Sequence, residues 1–250
     1  MSADRCKLGV CDGSGWIDDE QARGVRKCDC WGQLIAGRKA RSLSAVIPRK
    51  YSGVSFERPP VTAMPAPQVD KVRRYVRKLD DHLRGGQGLW FWGSVGTGKT
   101  TLAMLVSRQA LDRGHTVAIY SLPRLLAEIR STFDDPTPGA YTDFLARLAR
   151  VDLLHIDDLG AEKTSPWVLE QLYSIVNDRY EAERAIVITT NLDREELAEQ
   201  IGERTVSRLE EMCDVCPLFG TDNRRYEAVD RRLDSADEGP APATPAARLA

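Results

Sequence analysis

The sequence predicts an α/β fold: a parallel sheet flanked by helices around a phosphate-binding loop, with a small N-terminal zinc-binding module ahead of it. Three observations carry this. From Leu89 onward, short apolar runs alternate with amphipathic helical stretches, the pattern of a parallel sheet covered on both faces. Residues 93–100 read G-x-x-x-x-G-K-T. Four of the six cysteines fall within the first 30 residues.

The chain has 250 residues, enough for one large domain plus a small module. Its 42% hydrophobic content is sufficient for a real core and argues against disorder throughout. Thirty-five Lys+Arg against 37 Asp+Glu exclude a globally basic field for duplex DNA, though not local basic faces. No apolar run approaches the ~18 residues of a membrane span, and the start, MSADRCKLG, has no apolar signal core. The expected location is cytoplasmic, with no membrane partner. Cysteines there are read as metal ligands before disulfides.

Residues 1–36 are rich in Gly, Asp and Cys and carry little apolar periodicity, so they need a staple to fold. Cys6, Cys11, Cys28 and Cys30 offer four thiolates, a ligand set suited to tetrahedral Zn²⁺. Their x4 and x1 spacings depart from the commonest C-x₂-C knuckle, which leaves four unrelated thiols as the alternative. Residues 37–60 are locally basic, and Pro59, Pro60, Pro65 and Pro67 mark a linker. Val72, Val76, Leu79 and Leu83 recur at helical spacing through an arginine-rich helix, 71–84, stopped by Gly85 and Gly86.

The core then reads as strand 89–92, helix 99–112, strand 116–120, helix 122–131, a turn-rich loop 134–139 and helix 141–149. Strand 152–156, helix 165–180, strand 185–189 and helices 194–200 and 203–212 follow. Cys213 and Cys216 read as small core residues on a last apolar strand ending at Phe219. The domain limits are 1–58 for the metal module and basic linker, 60–230 for the nucleotide-binding domain, and 231–250 for a disordered Ala/Pro-rich tail.

Gly93, Ser94, Val95, Gly96, Thr97, Gly98, Lys99, Thr100 and Thr101 follow an apolar strand and open an amphipathic helix. That is the context a phosphate loop requires. Glycines let the backbone close around phosphate oxygens, and the loop and helix amides point at the anion. Lys99 neutralises charge on the β/γ oxygens of ATP, and the Thr100 hydroxyl reaches Mg²⁺.

The apolar run Leu153–Ile156 ends in Asp157 and Asp158. Asp157 is placed to hold the Mg²⁺ shell, and Asp158 to orient the attacking water. Asp is one methylene shorter than Glu, which predicts slow turnover; a solvated acidic turn is the alternative. Asn191, after the apolar strand 185–189, reaches the γ-phosphate or the water if that strand lies beside the loop strand. Otherwise it caps the turn before Asp193. His155 reads as a packed core imidazole.

These motifs, in this order, resemble an AAA+ ATPase, and more closely the DnaC/DnaI family of replicative helicase loaders with its IstB-like relatives. The segments that carry the resemblance are Ile47-Pro48-Arg49-Lys50-Tyr51, Ser55-Phe56-Glu57, the 93–100 loop, Ile156-Asp157-Asp158-Leu159-Gly160, Thr189-Thr190-Asn191-Leu192 and 202–209, within residues 47 to about 226. The resemblance implies an ATPase that self-associates through a shared ATP site. By motif position Arg208 is then the arginine offered to a neighbour, with Arg204 beside it one helical turn away. Surface arginines salt-bridged to Glu203, Glu210 or Glu211 are the alternative.

The resemblance also implies that the N-terminal module grips a replicative hexameric helicase and that the core touches single-stranded DNA, in loading the helicase during DNA replication. Two alternatives stand beside that reading. One is an IstB-like transposition helper ATPase; the other is a nucleotide-gated adaptor with negligible hydrolysis.

Overall fold

A computed structural model describes residues 6, 10–11, 16–19, 24–30, 46–160 and 165–220. The tail 231–250, the basic residues Arg38, Lys39 and Arg41, and residues 161–164 lie outside the described residues.

Near the N-terminus, β1 (Trp16–Asp19) and β2 (Gly24–Lys27) pair antiparallel, Trp16 opposite Lys27 and Asp18 opposite Val25. The core follows as α1 (Ala66–Arg77), α2 (Leu79–Arg84), β3 (Gly88–Gly93), α3 (Lys99–Asp112), β4 (Val117–Ser121), α4 (Leu122–Asp134), α5 (Ala140–Arg150) and β5 (Leu153–Asp157). It continues with α6 (Pro166–Glu181), β6 (Ala185–Thr190), α7 (Arg194–Ile201), α8 (Glu203–Met212) and β7 (Cys213–Leu218).

The five core strands form one parallel sheet in the order β4-β5-β6-β3-β7. From β3 the chain crosses to the far edge at β4 and fills back through β5 and β6. The carboxyl ends of β3, β6 and β5 therefore lie side by side, where open α/β sheets bind ligands.

Strand alternation sorts the core. Leu89, Phe91, Val117, Ile119, Leu153 and Val187 pack with α1–α3 on one face. Trp90, Ala118, Tyr120, Leu154, Ile156 and Ile188 pack with α4–α8 on the other. Cys213 and Cys216 are both buried, and three residues apart they fall on opposite faces.

Two local expectations are corrected. The arginine-rich helix is not continuous over 71–84: it breaks at Lys78 (φ −104, ψ 25), whose amide turns back to the Tyr75 and Val76 carbonyls. It also starts earlier, at Ala66. Pro67 sits in its first turn, where the missing N–H has no intrahelical partner to lose. Pro59, Pro60, Pro65 and Pro67 therefore do not mark a linker without structure. Val61 and Met64 between them are buried, residues 61–63 form a 3₁₀ turn, and Ile47, Tyr51 and Phe56 pack on the same face. Arg108 of α3 fastens this segment by donating to the Ser52 and Val54 carbonyls.

At the amino-terminal ends of β5 and β6 Arg179, on α6, is fully buried. Its guanidinium donates to the carbonyls of Leu148 (2.7 Å), Val151 (3.1 Å) and Ala185. One side chain thus joins the end of α5 and the approaches to β5 and β6. Burial pulls its pKa down to about 9, which still leaves it charged at neutral pH.

Candidate nucleotide-binding site

The phosphate loop leaves β3 at Gly93 and enters α3 at Lys99. Gly93 (φ 132) and Gly98 (φ 95) both need backbone forbidden to most side chains. A Cβ on Gly93 would lie 2.0 Å from the Leu218 carbonyl of β7, and one on Gly98 would strike the Met64 side chain. The Lys99 ammonium is buried and donates to the Gly93 (2.9 Å) and Ser94 (2.7 Å) carbonyls, spanning the loop mouth. Thr97 Oγ1 closes the turn onto Ser94 O at 2.9 Å. Thr100 and Thr101 are half-buried in the first turn of α3, and Val95 is exposed at the loop tip.

Asp157 is the last residue of β5. Strand alternation puts it on the face of His155, which contacts Ser107 of α3 at 3.0 Å. It therefore faces the helix that carries Thr100. Its Oδ1 accepts a 2.7 Å hydrogen bond from Thr189 Oγ1, which in turn accepts from the Asp158 amide at 2.9 Å. The Leu159 amide donates to Thr189 O at 2.8 Å. Thr189, fully buried on β6, thus ties both acids to the neighbouring strand. The sequence reading gave it no role, although it heads the 189–192 segment that carries the family resemblance.

Asp158 is exposed and left-handed (φ 57), a conformation Asp accepts more readily than most residues. Asn191 is exposed just past the end of β6, and β6 pairs directly with β3. The condition for Asn191 to face the loop is therefore met. His155 is fully buried and held neutral, its pKa pulled by desolvation down to about 3.

Arg204 and Arg208 lie on α8, on the face opposite α3. The salt-bridge alternative does not describe them: Glu203 and Glu210 pair with Arg194, and Glu211 accepts from Tyr180 Oη at 2.6 Å. Arg208 is instead half-buried against the rings of Tyr173 and Tyr180.

The four N-terminal cysteines converge. Their sulfurs all lie within 4.8 Å of one another, with Cys6–Cys28 at 3.9 Å and Cys11–Cys30 at 3.4 Å. Four thiolates about 2.3 Å from a tetrahedral zinc are about 3.8 Å apart, so the donor set and its size fit. Cys28 and Cys30 are buried directly after β2. Burial and the neighbouring thiols push the Cys30 thiol up, a cost that a cation removes by binding the thiolate.

A parallel sheet of this order, with a glycine loop and buried lysine at the end of β3 and an acid at the end of β5, defines an AAA+-type P-loop nucleotide-binding protein. The chain belongs to the family of IstB-like ATP binding proteins, whose model matches residues 68–227. The replicative helicase loader DnaC of Escherichia coli K12 is 29% identical over 163 residues. The match covers 65% of this chain and 65% of that protein's length. The uncharacterised protein YdaV of the same organism is 30% identical over 130 residues, 52% of each chain.

Among solved structures, the crystal structure of the DnaC helicase loader superposes with a TM-score of 0.60 at 26% identity. It covers 68% of this chain and 99% of that one. DnaI shares the fold, with a TM-score of 0.58 at 20% identity over 75% of this chain and all of the other. So does the replication initiator DnaA bound to AMPPCP and single-stranded DNA, with a TM-score of 0.58 at 21% identity over 76% and 56%. Among the described residues no helix is long and apolar enough to cross a membrane.

Proposed function

We propose that this chain is an ATP-dependent DNA replication factor that loads a replicative hexameric helicase onto single-stranded DNA. The observation that carries the proposal is the placement of the 93–100 loop, Asn191 and Asp157–Asp158 along one edge of three adjacent strands. That edge can surround a triphosphate, and the family resemblance to DnaC supplies the loading role.

In this reading Lys99 leaves the Gly93 and Ser94 carbonyls for the β/γ oxygens, while the loop amides hold the phosphates. Thr100 and Asp157 would hold Mg²⁺, which when bound neutralises developing charge on the transferring phosphoryl group. Asp158 and Asn191 orient the attacking water. Arg208, with Arg204, is offered to the nucleotide of a second copy of the chain. Cys6, Cys11, Cys28 and Cys30 would hold a structural Zn²⁺ that fixes the β1–β2 hairpin. The module, placed at 1–58, docks the helicase, with Trp16 and Val25 exposed on one hairpin face.

In this reading single-stranded DNA meets an aromatic and basic face of the core rather than the arginine-rich helix. Part of the charge on the arginine-rich helix α1 is already engaged at the surface: Lys71 donates to the Val215 carbonyl and Arg73 lies over the Phe56 ring. A better platform lies along α4, α5 and the start of α6. Phe133, 57% exposed, stacks on Tyr141 with centroids 5.1 Å apart, and Arg130 lies 4.8 Å over the Trp167 ring. Aromatic faces interleaved with arginines stack unpaired bases.

The test has three readouts: binding of ATP-Mg, ATP turnover with and without single-stranded DNA, and copurification with a hexameric helicase. Binding to single strands should weaken steeply with salt. No affinity for ATP-Mg at millimolar levels would overturn the whole reading. Capture of a transposase in place of a helicase would favour the IstB-like helper. One observation favours a second reading, a nucleotide-gated adaptor that hydrolyses little: the acid after Asp157 is Asp158, whose carboxylate reaches one methylene less far than that of a Glu. ATP binding without single-turnover hydrolysis would select it. Either way the expected location is the cytoplasm.

A further inference from the structure

We propose that Tyr173 and Tyr180 form an aromatic clamp that presets Arg208 for the nucleotide site of a second copy of this chain. The two tyrosines are then positioning residues for an arginine acting in trans. The proposal rests on the shared-site reading above.

Tyr173 and Tyr180 are seven residues apart on α6, two helical turns, and so share one face. The Arg208 guanidinium carbon lies 4.9 Å from the centre of the Tyr173 ring and 5.6 Å from that of Tyr180. Its Nη1 donates to the Arg204 carbonyl one turn earlier, at 3.3 Å. Its Nε is buried with no hydrogen-bond partner among the described residues. The Tyr180 ring is itself fixed, since its hydroxyl donates to Glu211 Oε2 at 2.6 Å. A cavity of about 380 Å³ lined by Tyr180, Glu203, Arg204, Ser207, Arg208 and Glu211 opens beside the guanidinium.

The nearby acids are engaged by other groups. Arg194 takes Glu203 and Glu210, and its ion pair holds the Glu203 carboxyl below the usual range. This division has a chemical consequence. A carboxylate partner would occupy the in-plane N–H fork of Arg208 and neutralise its charge. An aromatic ring holds a guanidinium by its face, and leaves the charge, and the terminal N–H groups not bonded to the Arg204 carbonyl, available to a phosphate. The clamp also removes rotamer freedom from a long side chain before assembly, so less is lost when the arginine meets its target.

The experiment uses the full-length chain with Tyr173→Leu, Tyr180→Leu, the double variant, and the matching Tyr→Phe variants. Turnover number, KM for ATP and the unfolding midpoint are measured for each. A loosened arginine predicts a fall in kcat of about tenfold or more in the double Leu variant. Its KM and unfolding midpoint should stay near those of the parent, and the Phe variants, which keep the ring faces, should retain most of kcat. Because Leu variants keep intact phosphate loops, adding Lys99→Ala subunits, which have intact clamps, should restore turnover.

Turnover in the double Leu variant equal to the parent, while Arg208→Ala loses it, would overturn the clamp and leave the shared site standing. So would a deficit that Lys99→Ala subunits fail to relieve. If Arg208→Ala itself turns over normally, the shared-site reading fails first. Should the double variant fail to fold, Tyr180→Leu alone, at a ring 38% exposed, carries the same comparison.

Discussion

Thr189 Oγ1 lies 2.7 Å from Asp157 Oδ1 and donates its only proton to it, which leaves the hydroxyl oxygen to accept from the Asp158 amide. One buried hydroxyl therefore sets the carboxylate of the first acid and the backbone of the second.

Replacing Thr189 with Val keeps the shape and deletes both hydrogen bonds. A buried donor left unpaired costs about 1–3 kcal/mol, so urea unfolding should show a loss of that order. ATP turnover should fall further than nucleotide affinity, because Asp157 and Asp158 lose their orientation. Thr189→Ser should recover most of both. A Val variant with parental turnover would show that the acids hold their places without the hydroxyl.

Gly93→Ala should be far more damaging than a surface glycine change. The new methyl would meet the Leu218 carbonyl at 2.0 Å, in backbone already at φ 132. Relief requires β7 to separate from β3. The expected result is loss of soluble folded protein, or a drop in unfolding midpoint accompanied by loss of ATP binding.

Arg179→Met should destabilise the core without touching the nucleotide edge. It orphans the Leu148, Val151 and Ala185 carbonyls, each previously paired with a buried cation. At about 1–3 kcal/mol for each unsatisfied buried group, the loss approaches the whole stability of an ordinary domain. Thermal unfolding of the variant, with ATP affinity measured on whatever remains folded, separates this role from a catalytic one.

His155 makes the apo protein acid-sensitive. Its pKa is about 3 when folded and near 6.5 when the chain unfolds. Between those values the unfolded state binds the extra proton, so stability falls as pH drops below about 6.5, by up to ~1.4 kcal/mol per pH unit from this group. The contribution is fully present above that pH. Urea midpoints at pH 7.5 and 5.0, compared between the parent and His155→Gln, should show a smaller acid loss in the variant.

Removing metal should unravel only the front of the chain. Chelation, or Cys30→Ser, is expected to expose residues 1–30 to protease and release about one zinc per chain by colorimetric assay. Structural zinc commonly supplies ~10 kcal/mol or more to small modules. ATP binding by the core should persist. Protection unchanged after complete metal removal would mean that the hairpin stands by packing alone.

Much of the site was legible because its chemistry is local. Gly93, Gly96, Gly98, Lys99 and Thr100 are neighbours in sequence and in space, and the acids end a single strand. The apolar alternation likewise exposed every core strand. Features that depend on sheet order were hidden. Thr189 matters only because β6 lies next to β5, and its residue type is common in strands. Tyr173 and Tyr180 read as ordinary helix residues until α8 is laid across α6. The break at Lys78 was masked because Val76, Leu79 and Leu83 keep helical spacing through it, and all three remain buried.

Met64 has a consequence that motif searches overlook. Its thioether fills the space beneath Gly98 that any larger loop residue would require, although it carries no group able to touch an anion. Harm to the strap at residues 46–64 would thus surface in the laboratory as poor ATP affinity, and a variant at Met64 would be mistaken for a lesion of the loop it merely props.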